Sequence, residues 1–375
     1  MDRQLREIVK RDLEKKIVLL SGPRQVGKTT LSKSLFSEFS YLNYDYIEHR
    51  SQILEKNWDR KTDLLVLDEL HKLKNWKQWL KGVYDVEGIR PRLLVTGSAK
   101  LNTYRKVGDS LAGRFFSYRL HPLDFKELQG HFSPDVIQER LMSLGGFPEP
   151  FLSGEIDFAR KWRRSHLDII LRQDLLDLNS IRDIQGIETL LGLLQTMVGS
   201  PISYDSLARD LGRDATTIKR WLNLLEELFV IFRVSPHSRN IARAILKSPK
   251  YYFFDTGHVK DEPGARFENM VALCLLKECQ FLEDAKGLRV VLSYLRNKEG
   301  KEIDFLVSIE GKPKVMIEAK WSDQLPSSAF HYFRKYLQDC QMVQLVGKLN
   351  QDFMTPQGIE IRQAGKWLSG FGYPS

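Results

Sequence analysis

The residues best suited to chemistry form the run GPRQVGKTT at Gly22 to Thr30. Gly22 and Gly27 let the main chain curl until successive N–H groups converge on an anion. The spacing G-x-x-x-x-G-K-[ST] supplies a lysine for the outer phosphates of a nucleoside triphosphate and a hydroxyl for Mg²⁺. Lys28 and Thr29 occupy those positions, so the expected ligand is ATP with Mg²⁺. The whole loop, Gly22, Pro23, Arg24, Gln25, Val26, Gly27, Lys28, Thr29 and Thr30, is expected to surround the phosphates. A second set ends DLLVLDEL: Asp68 is expected to orient Mg²⁺ and its waters, and Glu69 to polarise the attacking water. In LLVTGSAK, Thr96 or Ser98 is a candidate to sense the γ-phosphate, the alternative being a turn-forming TGS in a bystander loop. Arg114, in LAGRFF, is a candidate to reach the γ-phosphate of a neighbouring subunit, which requires a homo-oligomer. The alternative for Arg114 is a solvated or salt-bridged loop arginine.

A third set lies far along the chain. Asp304 falls in EIDFLV, and Glu318 and Lys320 fall two apart in KVMIEAK, so their side chains leave the same face of a strand. Glu268 sits near the start of a helical pattern, GARFENMVALCLL. Glu, Asp and Glu-x-Lys in that order resemble the PD-(D/E)XK nuclease fold. The resemblance implies that Asp304 and Glu318 bind one or two Mg²⁺ ions, that Glu268 completes the ligand set, and that Lys320 orients or deprotonates water. The alternatives are an amphipathic hairpin with charged tips and a nuclease-like fold without activity.

These residues need elements to hold them. KIVLL reads as the strand before the phosphate loop, and the helix after the loop adds the positive end of its dipole. LLVL reads as a buried parallel strand whose acids lie at its carboxyl end, where open α/β sheets bind ligands. LLVTG is expected between those two strands. Trp76, Trp79 and Val83 recur at helical spacing, which predicts a core stripe. Further on, Ser203 caps a short helix that stops at Gly212, and Asp214 caps a second helix. Ile218, Leu222 and Leu225 form the buried face of that second helix. Thr216, Thr217, Lys219 and Arg220 stand near its exposed start. With FVIFRV following as a strand, the pattern spells a winged helix-turn-helix. Such modules read DNA with the second helix or dock proteins, and charge placement favours DNA. From Phe232 to Lys250 the chain carries Arg233, Arg239, Arg243, Lys247 and Lys250 with no acid, within a net charge of +9.

The chain is similar to the prokaryotic AAA-type P-loop ATPases that carry a C-terminal domain of unassigned function. The matching residues are GPRQVGKTT, LLVLDELHK, LLVTGSAK, LAGR with LHPLDFKEL, GGFPEP, LRQDLLDL, YDSLARDLGRDATTIKRWLNLLEEL and PKYYFFDTGH. The resemblance implies a five-stranded AAA-type sheet and MgATP. His71 departs from it where glutamine is common.

The 375 residues are expected to divide into an AAA-type core at 1–130, a helical lid or linker at 131–185, a winged helix-turn-helix at 186–250 and a restriction-endonuclease-like α/β domain at 251–375. No apolar run approaches bilayer length, and the charged N-terminus has no signal core. Cys274, Cys279 and Cys340 form no CxxC pair. A cytoplasmic protein with no membrane partner is expected. The functional expectation is ATP hydrolysis that gates DNA binding and metal-dependent cleavage. Its alternative is an ATP-driven switch that binds DNA or a partner protein without cleavage.

Overall fold

The computed structural model describes residues 2–97, 111–174, 183–237, 248–260, 262–322 and 325–372. Its contacts divide the chain into two units, 1–122 with 284–286, and 123–283 with 287–375.

In the first unit, α1 (Arg6–Asp12) leads to β1 (Ile17–Ser21). Then follow α2 (Lys28–Ser34), β2 (Phe39–Asn43), α3 (Ile47–Glu55), β3 (Leu64–Asp68), α4 (Trp76–Glu87), β4 (Arg92–Gly97) and β5 (Phe115–Arg119). The five strands pair in parallel in the order β2-β3-β4-β1-β5. β1, β3 and β4 are buried at every residue, which is why they read as unbroken apolar runs rather than alternating ones. Ile17, Leu19, Leu65, Leu67, Leu93 and Val95 pack with Trp76, Leu80 and Val83, and Trp79 packs against that cluster. The expected stripe on α4 is core. β4 lies between β3 and β1, and the register sets Asp68 beside Thr96 and Ser21 beside Gly97. The two motif strands therefore end together at one lip of the sheet.

The second unit opens with α5 (Phe125–Leu128), α6 (Pro134–Ser143), α7 (Pro148–Ser153), α8 (Ile156–Ile169) and α9 (Ile184–Leu194). The helix pair follows as α10 (Tyr204–Leu211) and α11 (Ala215–Glu227), then β6 (Ile231–Pro236) and β7 (Lys250–Phe253). The chain continues through α12 (Pro263–Lys286), β8 (Val290–Arg296), β9 (Glu302–Ile309), β10 (Lys312–Lys320), α13 (Ala329–Arg334), β11 (Gln341–Val346), β12 (Phe353–Met354), β13 (Ile359–Gln363) and α14 (Ala364–Gly370). One eight-stranded sheet runs β12-β13-β11-β10-β9-β8-β6-β7.

The local signals act where the sequence puts them. Ser203 accepts from the Ser206 amide and Asp214 from the Thr217 amide, each capping its helix. Gly212 ends α10 with φ 60°. Ile218, Leu222 and Leu225 are buried, and Thr216, Lys219 and Arg220 are exposed. Glu310 and Gly311 both take positive φ between β9 and β10, the backbone that a two-residue hairpin turn needs.

Two expectations change. β6 pairs with β7 on one side and β8 on the other, so the strand after the helix pair is an inner member of the sheet that bears Asp304. No division falls at 250/251, because β7 begins there and hydrogen-bonds into that same sheet. GGFPEP leads into a helix, which Pro148 opens as α7. The C-terminal stretch forms the short strand β12 and the strand β13, then α14, with Ala364 and Leu368 buried. The three cysteines are free and buried. Among the described residues no helix is long and apolar enough to cross a membrane.

Candidate functional site

At the lip of the five-stranded sheet, Gly22 follows β1 with φ 154°, and a Cβ there would lie 2.3 Å from the Leu120 carbonyl oxygen. Only glycine fits that approach. Gln25 and Gly27 also take positive φ, at 59° and 99°, so the loop coils back before α2. Val26 is fully buried, and its carbonyl accepts from Arg3 Nη1 at 2.8 Å, which ties the loop to the N-terminus. Pro23 is buried, Arg24 half-buried, and Gln25 and Thr30 exposed. Lys28 opens α2. Its ammonium is buried in the coil and donates to the Gly22 and Pro23 carbonyls at 2.9 and 2.7 Å.

Asp68 is the hub of this lip, and it is 6% exposed. Its Oδ2 accepts from the Thr29 hydroxyl at 3.1 Å and the Tyr41 hydroxyl at 2.6 Å. Its Oδ1 accepts from the Thr96 hydroxyl and from the Glu69 amide at 3.1 Å. Tyr41, on β2, escaped the sequence reading because one polar residue in an ordinary strand carries no spacing signal. Burial, then its bond to Asp68, pushes the Tyr41 phenol well up, so it stays a donor. Glu69 takes φ 56° and its carboxyl is raised by burial first and by Asp68 second, while Lys72, Lys28 and Arg24 pull it back. Its Oε2 lies 3.6 Å from His71 Nε2. A hydroxyl and a carboxylate oxygen in contact offer two hard oxygen ligands, which suits Mg²⁺. Thr29 and Asp68 fit the ion.

The C-terminal set is arranged differently. Asp304 Oδ2 accepts from the Ala319 amide at 3.0 Å, and Glu318 Oε1 is bound to Lys320 Nζ at 2.9 Å. Between the other carboxylates sits a cation that the spacing did not reveal. Lys250 Nζ, at the start of β7, lies 2.7 Å from Glu302, 3.4 Å from Glu268 and 3.5 Å from Asp304. Tyr252 donates to Glu268 at 2.7 Å, and the Tyr294 ring lies 5.3 Å from the same ammonium. A Cβ on Gly199 would sit 2.5 Å from Glu268 Oε2, so the chain before α10 closes over this nest. Burial alone would lower the Lys250 pKa, but Glu268, Asp304 and Glu302 outweigh it and the net shift is upward. Burial, followed by the Asp304 charge, pushes Glu268 and Glu318 up to about 7. Among the described residues no group of three or more His, Cys, Asp or Glu could hold a metal ion. The expected metal set of Glu268, Asp304 and Glu318 is thus corrected: the Lys250 ammonium lies against Glu268 and Asp304, and Lys320 against Glu318. These residues do not fit Mg²⁺, and no catalytic step is derived through one there.

Residues 14–129 match the model of an AAA domain. With its phosphate loop and five-stranded parallel sheet, the first unit is similar to a P-loop ATPase core of the AAA type. Residues 137–260 match a domain of unknown function (DUF8612), and residues 263–361 match another (DUF4143). The chain is 27% identical over 310 residues to an uncharacterized protein of Mycobacterium tuberculosis, covering 79% of this chain and 68% of that one. It is 24% identical over 378 residues to an uncharacterized protein of Methanocaldococcus jannaschii, covering 90% and 83%. Among solved structures, a RuvB variant of Thermotoga maritima is 18% identical with a TM-score of 0.30, covering 62% of this chain and 87% of that one. A signal-transduction ATPase with a tetratricopeptide-repeat sensor, from Pyrococcus horikoshii, is 14% identical with a TM-score of 0.23, covering 76% and 48%. Scores that low carry no weight.

Two further candidates lie in the same unit. Arg114 precedes β5, and the register pairs Phe115 with Ile17 and Arg119 with Ser21. Arg114 therefore lies at the opposite end of the strands, about 16 Å from its own phosphate loop, a distance that bears on its own nucleotide and not on that of a neighbouring subunit. It is bound to Asp85 at 2.7 Å, as a salt-bridged loop arginine. Ser98 lies outside the described residues, as do Arg239, Arg243 and Lys247. Thr96 is fully buried with its hydroxyl committed to Asp68, so it holds that carboxylate rather than facing a ligand. The basic stretch also loses members: Lys250 is buried in the nest, and Arg233 lies 3.6 Å from Glu226.

Proposed function

We propose that the chain binds and hydrolyses ATP with Mg²⁺, and that nucleotide state controls how its second unit engages nucleic acid, without cleaving it. The observation that carries the first part is Asp68, held by Thr29, Thr96 and Tyr41 at the mouth of the loop that contains Lys28. When bound, Mg²⁺ would supply charge neutralisation for the phosphates, held through the Thr29 hydroxyl and the Asp68 carboxylate. Lys28 would exchange the Gly22 and Pro23 carbonyls for phosphate oxygens, a trade of neutral for charged acceptors that strengthens its hydrogen bonds. Glu69, whose carboxyl is raised by burial and by Asp68, would take the proton of the attacking water more readily than an ordinary carboxylate.

Support for nucleic acid comes from the net charge and from the exposed Lys219 and Arg220 on the first turns of α11. The order of α12, the β8–β9–β10 meander, α13 and the parallel strand β11 supports a nuclease-like fold for the terminal region. Lys250 favours binding over cutting, because its ammonium takes the carboxylates that a divalent ion would need.

Phosphate release from ATP, measured with and without Mg²⁺, tests the first part. The parent should turn over only with Mg²⁺, and Lys28→Ala and Asp68→Asn should lose about a hundredfold or more. Equal turnover in parent and both variants would reject the site. Duplex DNA with Mg²⁺ and ATP tests the second part: it should be retained intact at low salt and released at high salt. Strand scission abolished by Asp304→Ala would reject binding without cleavage, and no retention would favour a protein partner.

A further inference from the structure

We propose that a cationic cavity on the sheet of the second unit binds the phosphates of a single-stranded nucleic-acid segment. The proposal rests on the nucleic-acid reading and adds where and in what form the ligand is held. The cavity has a volume of about 830 Å³ and lies where β6, β8, β9 and β10 run side by side. Hydroxyls line its floor. Ser235 pairs with Ser293 across β6 and β8, and Val291 pairs with Ser308 across β8 and β9, so each pair shares a face of the sheet. Ser308 is 5% exposed, and its hydroxyl has no hydrogen-bond partner among the described residues. A buried hydroxyl left so is costly unless a ligand or water meets it.

The rim is basic. Arg289, Lys312 and Lys314 are exposed, line the cavity, and make no ion pair among the described residues. By contrast, Lys277 is bound to Glu127 and Asp124, and Arg163 to Asp255. Asp339 is the acid among the lining residues, so the cavity is net positive. Tyr336, 62% exposed, stands at the rim with a ring on which a base can stack. The volume suits a nucleotide or two and is too small for a duplex. Phosphate with an unstacked base is the ligand that uses the cations, the hydroxyls and the ring together.

Fluorescence anisotropy of a labelled single-stranded oligonucleotide, about 12 nucleotides long, tests this. Substituting Arg289, Lys312 and Lys314 together by alanine should weaken binding at least about tenfold and reduce the salt slope by about 2. All three are surface residues, and circular dichroism checks that the variant is folded. Tyr336→Ala should weaken binding about fivefold or more, as expected for a lost stacking contact. If the triple variant binds like the parent, the cavity is wrong while the nucleic-acid reading stands. If the parent binds neither single strands nor duplex, both fall. A mononucleotide that displaces the strand from a Lys28→Ala chain at equal concentration would overturn the strand in favour of a free nucleotide.

Discussion

Asp68 accepts from Thr29, Tyr41, Thr96 and the Glu69 amide, so its orientation is fixed before any ligand arrives. Tyr41→Phe removes one of those donors and leaves the others. It should raise the Mg²⁺ concentration needed for half-maximal turnover severalfold, about 1 kcal/mol for one lost hydrogen bond, while ATP affinity without Mg²⁺ is unchanged. Equal Mg²⁺ dependence in parent and variant would show that Tyr41 does not position the carboxylate. The nest around Lys250 is the second residue-scale feature. Glu268 and Glu318 hold protons up to about pH 7, where free glutamate would be ionised. The folded chain therefore binds more protons than the unfolded one between about pH 4.5 and 7, and stability should fall as pH rises through that window. Glu318→Gln should flatten part of that slope in urea titrations. Lys250→Met leaves Glu268, Glu302 and Asp304 facing one another, and should cost about 3 to 5 kcal/mol at pH 7. The cost should shrink at pH 5, where Glu268 is protonated.

At the scale of elements, caps and turns do most of the specifying. Asp214 accepts from both the amide and the hydroxyl of Thr217, at 2.8 and 2.7 Å, at the start of α11. Asp214→Ala should destabilise the second unit by about 1 kcal/mol, read as a lower midpoint in thermal unfolding. An unchanged midpoint would mean that packing of Ile218, Trp221 and Leu222 alone sets the helix. β6 is the element whose role changed most. Its pattern of buried residues, with Ile231 and Val234 fully enclosed, belongs to an inner strand with neighbours on both sides. The same six residues would read alike in a small two-stranded wing, since partners across a sheet leave no trace in the strand itself.

For the whole molecule, the nucleotide site and the lysine-filled nest belong to different units. A ligand that binds only the folded first unit should stabilise it by mass action, about 2.7 kcal/mol at a hundredfold excess over Kd. MgATP should accordingly raise one calorimetric transition by several degrees, and Lys28→Ala should abolish that shift. A parent chain whose transitions ignore MgATP would argue against the site. Charge acts at this scale too, because an excess of nine positive charges favours polyanions only where cations are left unmatched.

The phosphate loop, the Asp68–Glu69 couple, the strand between them and the caps of the helix pair were legible along the chain. Each depends on residues close in sequence, where spacing translates directly into geometry. The carboxylates of the terminal region were legible as a set, yet their partner was not. Lys250 lies 54 residues before Asp304 and among arginines that suggest a basic surface, and only the pairing of β7 into the sheet brings it between the acids. Arg114 shows the same limit, because its distance from the loop follows from the parallel register of β5 on β1. Local chemistry was written in the chain; which charges meet was decided by strand order and register, since those join residues that no spacing relates.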